Sequence, residues 1–334
     1  MKGLTFSYQA AWTGLAGLVA AFTLLPLWRR AVLRAGFAHP ERDLPHLPAP
    51  SRPAAVASGA GMVMLALVAL APLVVLAVSG LTSPWGWAAG ERTSGMGELV
   101  AVLGGALALG LVGAGDDLIK LVRRDSRGLL ARYRLPLQLA IATLVLLPMV
   151  GELPLYGPSG VEWAVPPWLH LSLALLLVVG AVNGGNFTDG MDGLYGLTAL
   201  PPLAAAMLIV GPSPLGLSLA LAGGVLAGFL IFNLAPARLF LGESGAYLFS
   251  GLIALSLAGK GMSLALIPLG LVWGVEALSV ILQVIAFRTT GRRPFRMSPL
   301  HHHFQLLGWQ PSAILGLFFA LSLLGAAVGY WLWR

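Results

Sequence analysis

The chain has 334 residues, 57% hydrophobic and 10% charged, with no cysteine and a formal net charge of +7. A soluble domain is usually about a quarter charged, so this composition excludes an ordinary aqueous enzyme, and a mean hydropathy of +0.85 excludes a disordered chain. Without cysteine there are no disulfides, thiolate metal ligands or thiol nucleophiles, and any chemistry falls to oxygen and imidazole.

Apolar runs at 5–27, 54–80, 97–115, 135–151, 167–182, 194–212, 215–232, 246–258, 262–287 and 312–333 predict ten membrane-spanning helices. The first run is too long for a signal peptide, lacks a small-residue cleavage site and continues into Trp28-Arg29-Arg30, so it reads as a retained span. The sixth and seventh are parted only by the turn Gly211-Pro212-Ser213-Pro214. The expected fold class is all-α, a polytopic integral membrane protein with residues 1–334 in one transmembrane domain.

Assigning the connections alternately to two sides places sixteen of the twenty Lys and Arg residues on one side, from Arg29 and Arg30 through Arg42, Arg52, Arg124, Arg127 and Arg134 to Arg288, Arg292, Arg293 and Arg296. The positive-inside rule makes that side cytoplasmic and puts both termini outside. The other side carries Lys2, Arg92, Lys260 and Arg334, with Glu91, Glu98, Glu152, Glu162 and the tryptophans Trp85, Trp87, Trp163 and Trp168 as interfacial anchors. The basic charge therefore follows topology, and no motif points to nucleic acid.

Four polar segments fall on the basic side. Gly115-Asp116-Asp117-Leu118-Ile119-Lys120 ends the third span. Two adjacent carboxylates losing water repel each other, which a divalent cation resolves, and oxygen ligands suit Mg²⁺. The plainer alternative is a solvated acidic pair with Lys120 at i,i+4 from Asp116. Asn183-Gly184-Gly185-Asn186-Phe187-Thr188-Asp189-Gly190-Met191-Asp192-Gly193-Leu194 offers amides, carboxylates and glycines permitting close ligand approach. If a helix restarts there, Asp189 and Asp192 share a face; otherwise the stretch is an Asx-rich turn. In Phe232-Asn233 to Gly242-Glu243-Ser244-Gly245, Glu243 either completes a metal or phosphate-bound-ion site or forms an exposed pair with Arg238. Side chains of His301, His302 and His303 point about 100° apart on a helix. They cannot readily share one metal, and beside Arg292, Arg293 and Arg296 they suit phosphate.

These segments, with Val275-Glu276-Ala277-Leu278-Ser279-Val280-Ile281-Leu282-Gln283 and Arg296-Met297-Ser298-Pro299-Leu300-His301-His302-His303 through Trp309, resemble the polyprenyl-phosphate sugar-1-phosphate transferases. The unbroken triple histidine and its lead narrow the resemblance to the phospho-N-acetylmuramoyl-pentapeptide transferases, over about Gly113 to Trp309. The resemblance implies transfer of phospho-N-acetylmuramoyl-pentapeptide from its UDP-linked precursor to undecaprenyl phosphate, with Mg²⁺, giving lipid I and UMP for peptidoglycan synthesis in a bacterial cytoplasmic membrane. It implies Asp116 as base on the lipid phosphate, with Asp117 and Glu243 as site carboxylates and metal ligands. Asn186, Asp189 and Asp192 would hold nucleotide and pyrophosphate, and Lys120, His301, His302 and His303 would surround the phosphates. Asn233, Phe240 and Gln283 match positions near the nucleoside, with Phe240 a stacking surface for uracil. The partners implied are the nucleotide-sugar, the lipid phosphate and membrane lipid, with a homodimer left open; one-step and covalent two-step mechanisms are both open.

Two departures stand out. The family's third acid is normally Asp, where this chain has Glu243, and the family's basic Gly-Thr-Pro-Thr-Met-Gly-Gly stretch is replaced by Leu47-Pro48-Ala49-Pro50-Ser51-Arg52-Pro53-Ala54-Ala55. They keep a relative using UDP-N-acetylglucosamine as a second expectation. A transporter or scaffold is a third, weakened because transporters place polar groups near midplane within repeats.

Overall fold

Backbone groups inside a bilayer find no water to bond, so an apolar chain of this kind satisfies them within helices. The computed structural model describes residues 2–36, 56–81, 89–123, 128–151 and 153–334. The expectations placed on Arg42, Arg52, Trp85, Trp87, Arg124, Arg127, Glu152 and the side chains of Lys2, Glu91 and Arg92 lie outside what is described. The helices are α1 Lys2–Arg34, α2 Ala60–Ala69, α3 Ala71–Leu81, α4 Ala89–Arg123, α5 Ala131–Val150, α6 Pro167–Thr188, α7 Leu194–Val210, α8 Pro214–Asn233, α9 Gly242–Ala258, α10 Leu266–Leu269, α11 Leu271–Thr290, α12 Leu300–Leu306 and α13 Pro311–Trp333.

Among the described residues, seven helices are long and apolar enough to cross a membrane, and the bent pair α2 and α3 makes up to eight. The remaining two of the ten expected runs are α7 and α9, each of 17 residues. At about 1.5 Å per residue they fall short of a hydrocarbon core of about 30 Å. Both are largely wrapped by other helices, and from Glu243 to Ala258 every residue of α9 is buried.

Two expected continuous spans are broken, each beside a proline, which cannot donate to the helical ladder. The run 54–80 bends by 42° between Ala60–Ala69 and Ala71–Val78, next to Pro72. The run 262–287 becomes a short 3₁₀ turn at Ser263–Ala265, then α10 containing Pro268, then α11. The turn parting the sixth and seventh runs forms as expected: Gly211 has φ 72°, and the Ser213 hydroxyl caps α8 by accepting from the Gly216 amide at 3.0 Å.

Small residues set the helix spacing, as in membrane bundles generally. A Cβ on Gly224 of α8 would overlap the Gly14 carbonyl oxygen of α1, and one on Gly17 would overlap the Leu221 carbonyl oxygen. Alternate connections gather at opposite ends of the bundle. At one end Lys260 pairs with Glu98 at 2.9 Å, and the hairpin of Leu155–Tyr156 with Glu162–Trp163 binds the Gly261 carbonyl through the Tyr156 amide at 2.9 Å. The other end holds the polar segments. Gly224→Ala should press α1 from α8 at a cost of about 1–3 kcal/mol, read as a lower midpoint of thermal unfolding in detergent; an unchanged midpoint refutes the close crossing.

Candidate active site

The site is built on the start of α9. Gly242 has φ 81°, a left-handed conformation that favours glycine, and it turns the chain into α9 directly beneath α4. Gly113 of α4 and Gly61 of α2 allow that approach, since a Cβ on either would overlap backbone at Glu243, Ser244 or Gly245. The first amides of α9 lack intrahelical partners. Asp117 supplies them, accepting from the Glu243 amide at 2.9 Å, the Ser244 amide at 3.0 Å and the Ser244 hydroxyl at 2.7 Å. A carboxylate across a helix N-terminus also meets the positive end of its dipole.

With α9 fixed, the Glu243 carboxylate lies between two cations: Lys120 Nζ is 2.5 Å from Oε1 and Arg134 Nη1 is 2.7 Å from Oε2. Lys120 also pairs with Asp116 Oδ2 at 2.6 Å, and Arg134 approaches Asp116 Oδ1 at 3.9 Å. Asp116 is fully buried and takes a further short hydrogen bond from the Leu129 amide, and Gly128 packs against its carboxylate where any side chain would overlap it. Two carboxylates, Asp116 of α4 and Glu243 of α9, thus face two cations, Lys120 of α4 and Arg134 of α5, while Asp117 is turned to the start of α9. The i,i+4 pair expected from sequence is present, yet it belongs to a buried three-helix cluster. The alternative pairing of Glu243 with Arg238 is not formed, because Arg238 instead reaches the Ile231 carbonyl and lies over Phe232.

α4 continues past the expected end of its span, so Asp116, Asp117 and Lys120 project from its last turns rather than following it. Likewise α6 runs to Thr188 and carries Asn183 and Asn186. Asp189 caps α6 and Asp192 lies in the turn before α7, so of the two alternatives the Asx-rich turn forms and the helical restart that would join them on one face does not. Asn183 is committed to Gln138 at 2.7 Å. Asp192 accepts from the Ala237 amide at 2.9 Å, and Asn233 bridges the Gly193 amide at 3.0 Å to the Leu239 carbonyl at 2.9 Å, tying the α6–α7 turn to the α8–α9 connection. Phe240 sits half-buried in that connection, its amide donating to the Ala57 carbonyl at 2.9 Å.

The histidines occupy α12 and disperse as the helical geometry requires. His301 reaches Glu276 at 3.1 Å, His302 reaches Gln305 at 2.7 Å, and the Arg296 amide donates to His303 Nδ1 at 3.1 Å. Gln283 clamps the preceding loop through both ends of its amide, each 3.0 Å from the Phe295 backbone. His301 abuts Gly190, so the first, second and fourth polar segments meet the third at one end of the bundle. Among the described residues no three His, Asp or Glu side chains converge as a metal cage.

The comparisons with known proteins now bear on this arrangement. The model of glycosyl transferase family 4 matches residues 99–259, which run from α4 through α9 and contain Asp116, the Asn186–Asp192 stretch and Glu243. A phospho-N-acetylmuramoyl-pentapeptide-transferase of Desulforamulus reducens is 39% identical over 255 residues, covering 72% of this chain and 76% of the relative. Those of Heliobacterium modesticaldum, 39% identical over 80% of each chain, and of Pelotomaculum thermopropionicum, 42% identical over 67% of this chain and 73% of the relative, agree. The chain belongs to the phospho-N-acetylmuramoyl-pentapeptide transferases. As in that family it is a multi-pass, all-helical membrane transferase.

Sequence reasoning counted Arg134 only as topology, although a cation opening an apolar run was a visible signal. It gave Glu276 no role, and the isolated charge within α11 was the clue. Asp117→Ala should remove the cap of α9 at about 0.5–2 kcal/mol, lowering the unfolding midpoint, whereas Asp117→Asn, whose single acceptor oxygen keeps the bonds of one side only, should fall between that variant and the parent. Equal midpoints for the two variants would contradict the capping role.

Proposed function

We propose that this transferase moves phospho-N-acetylmuramoyl-pentapeptide from its UDP-linked precursor onto undecaprenyl phosphate, yielding lipid I and UMP. The observation that carries the reading is the meeting of Asp116 and Glu243 with Lys120 and Arg134, with Asp117 on the start of α9, at the end of the bundle where the α6–α7 turn bonds the α8–α9 connection and abuts His301. The basic connections share this end, so the site faces the cytoplasm of a bacterial inner membrane, with both termini outside.

An oxygen of the acceptor phosphate forms a bond to the sugar-linked phosphorus, and the bond from that phosphorus to the bridging oxygen breaks, releasing UMP. Asp116 takes the acceptor's proton where it carries one. Its burial and its contact with Lys120 hold the carboxylate in place for that transfer. Lys120 and Arg134 are positioned to draw charge toward themselves as it shifts between phosphates. Asn186 at the end of α6 and Asp189 and Asp192 in the following turn hold the nucleotide and pyrophosphate, and His301, His302 and His303 hold the phosphates from α12. Phe240 stacks on uracil, and Asn233 and Gln283 act near the nucleoside by fixing the backbone at Leu239 and at Phe295. The donor set is oxygen only and fits Mg²⁺, which usually takes one or two carboxylates and otherwise water and phosphate. Glu243 and Asp117 would hold it, and when bound it supplies neutralisation of pyrophosphate charge.

Glu243, one methylene longer than the usual Asp, favours a second reading in which the same chemistry uses UDP-N-acetylglucosamine. The test is release of UMP by purified protein, dependent on both Mg²⁺ and undecaprenyl phosphate, with the two donors in competition. Asp116→Asn should lower the rate at least about 100-fold. Product from the acetylglucosamine donor alone selects the second reading, and no UMP from either donor overturns both.

A further inference from the structure

Glu276 is a carboxylate in the middle of an apolar helix, which is costly unless it has work to do. It is fully buried on α11, and so is His301 on α12. One oxygen of Glu276, Oε1, takes two contacts from the same residue, the His301 backbone amide at 3.3 Å and the ring nitrogen Nδ1 at 3.1 Å. Oε1 already accepts from the amide, and in the tautomer with the proton on Nδ1 it accepts from the ring as well. The ring is thereby fixed in both orientation and tautomer, as a carboxylate behind a functional histidine generally does.

The other ring nitrogen, Nε2, is buried and has no hydrogen-bond partner among the described residues. It points at Gly190, so closely that a Cβ there would overlap it. Gly190 lies in the α6–α7 turn between Asp189 and Asp192. A polar atom held this firmly, without a protein partner and against a turn of polar residues, is directed at something the turn binds. His302 does not share the arrangement, since its Nδ1 goes to Gln305 on its own helix.

We propose that Glu276 is a positioning residue acting through His301: it holds the imidazole so that Nε2 is presented to the diphosphate of the nucleotide-sugar at Gly190. This rests on the transferase reading above, which supplies the diphosphate. Gly190 follows from the same geometry, because only a residue without a Cβ leaves the ring in place.

A double-mutant cycle tests it. Glu276→Gln keeps the volume but can turn its NH₂ toward Nδ1, selecting the opposite tautomer. It should lower turnover about 10- to 100-fold, the usual effect of losing such a supporting partner, with the unfolding midpoint within a few degrees of the parent. In a His301→Gln background the same change should cost less than about twofold, because the two residues act as one unit. Paired with His302→Ala it should multiply independently. Where His301→Gln turns over too slowly to follow, the cycle is read on the dissociation constant of the UDP-linked donor without acceptor, with the same pattern expected. Equal losses in both His301 backgrounds, or no loss in the parent, overturn the proposal. Parent protein that releases no UMP from any donor fails the transferase reading instead, before the cycle begins.

Discussion

The arrangement depends on a carboxylate of one helix seated on the amide groups that open another. Asp117 of α4 takes both the backbone and the hydroxyl of Ser244 together with the Glu243 amide. Removing it frees the first turn of α9, and Glu243 then has no defined place relative to Lys120 and Arg134. The adjacent aspartates divide the labour: Asp117 faces the helix it anchors, while Asp116 faces the cations.

Close approach makes this possible, and close approach in turn requires glycine at particular points. Gly61, Gly113, Gly242 and Gly245 sit where three helices meet at van der Waals distance, and Gly128 and Gly190 repeat the device against Asp116 and His301. In lipid, apolar surface gains nothing by leaving one hydrocarbon for another, so packing and polar bonds must hold the helices together. Ion pairs at the end of the bundle serve that purpose while gathering the groups on which phosphate chemistry relies. Removing one member of such a buried pair generally costs about 3–5 kcal/mol, which ties the integrity of the site to that of the fold.

Much of the fold was legible in the sequence because the bilayer demands long apolar runs. The ten runs all carry helix, and the polar segments do gather at one end. The breaks next to Pro72 and Pro268 were less legible, since hydropathy averages over a single missing donor. For the site, residue types singled out Asp116, Asp117, Glu243 and the histidines, which the structure brings to one end of the bundle, but not the contacts each makes there. Spacing along a chain cannot say that Asn233 and Gln283 bind backbone across a loop, or that Arg134 of the next helix reaches Glu243, because those depend on which helices cross. Between Asp189 and Asp192 the sequence left a helical restart and an Asx-rich turn both open, because the choice lies in contacts that Gly190 and Gly193 accept from α8 and α12.

The short, enclosed α9 has a consequence for how this enzyme tolerates its surroundings. Helices that touch lipid must tilt or flex when the bilayer thickens or thins. From Glu243 to Ala258, α9 touches only protein, so such strain falls first on the peripheral spans. The carboxylate at its head is thereby insulated from lipid composition, and a change of acyl-chain length should reach it only through the helices that surround α9.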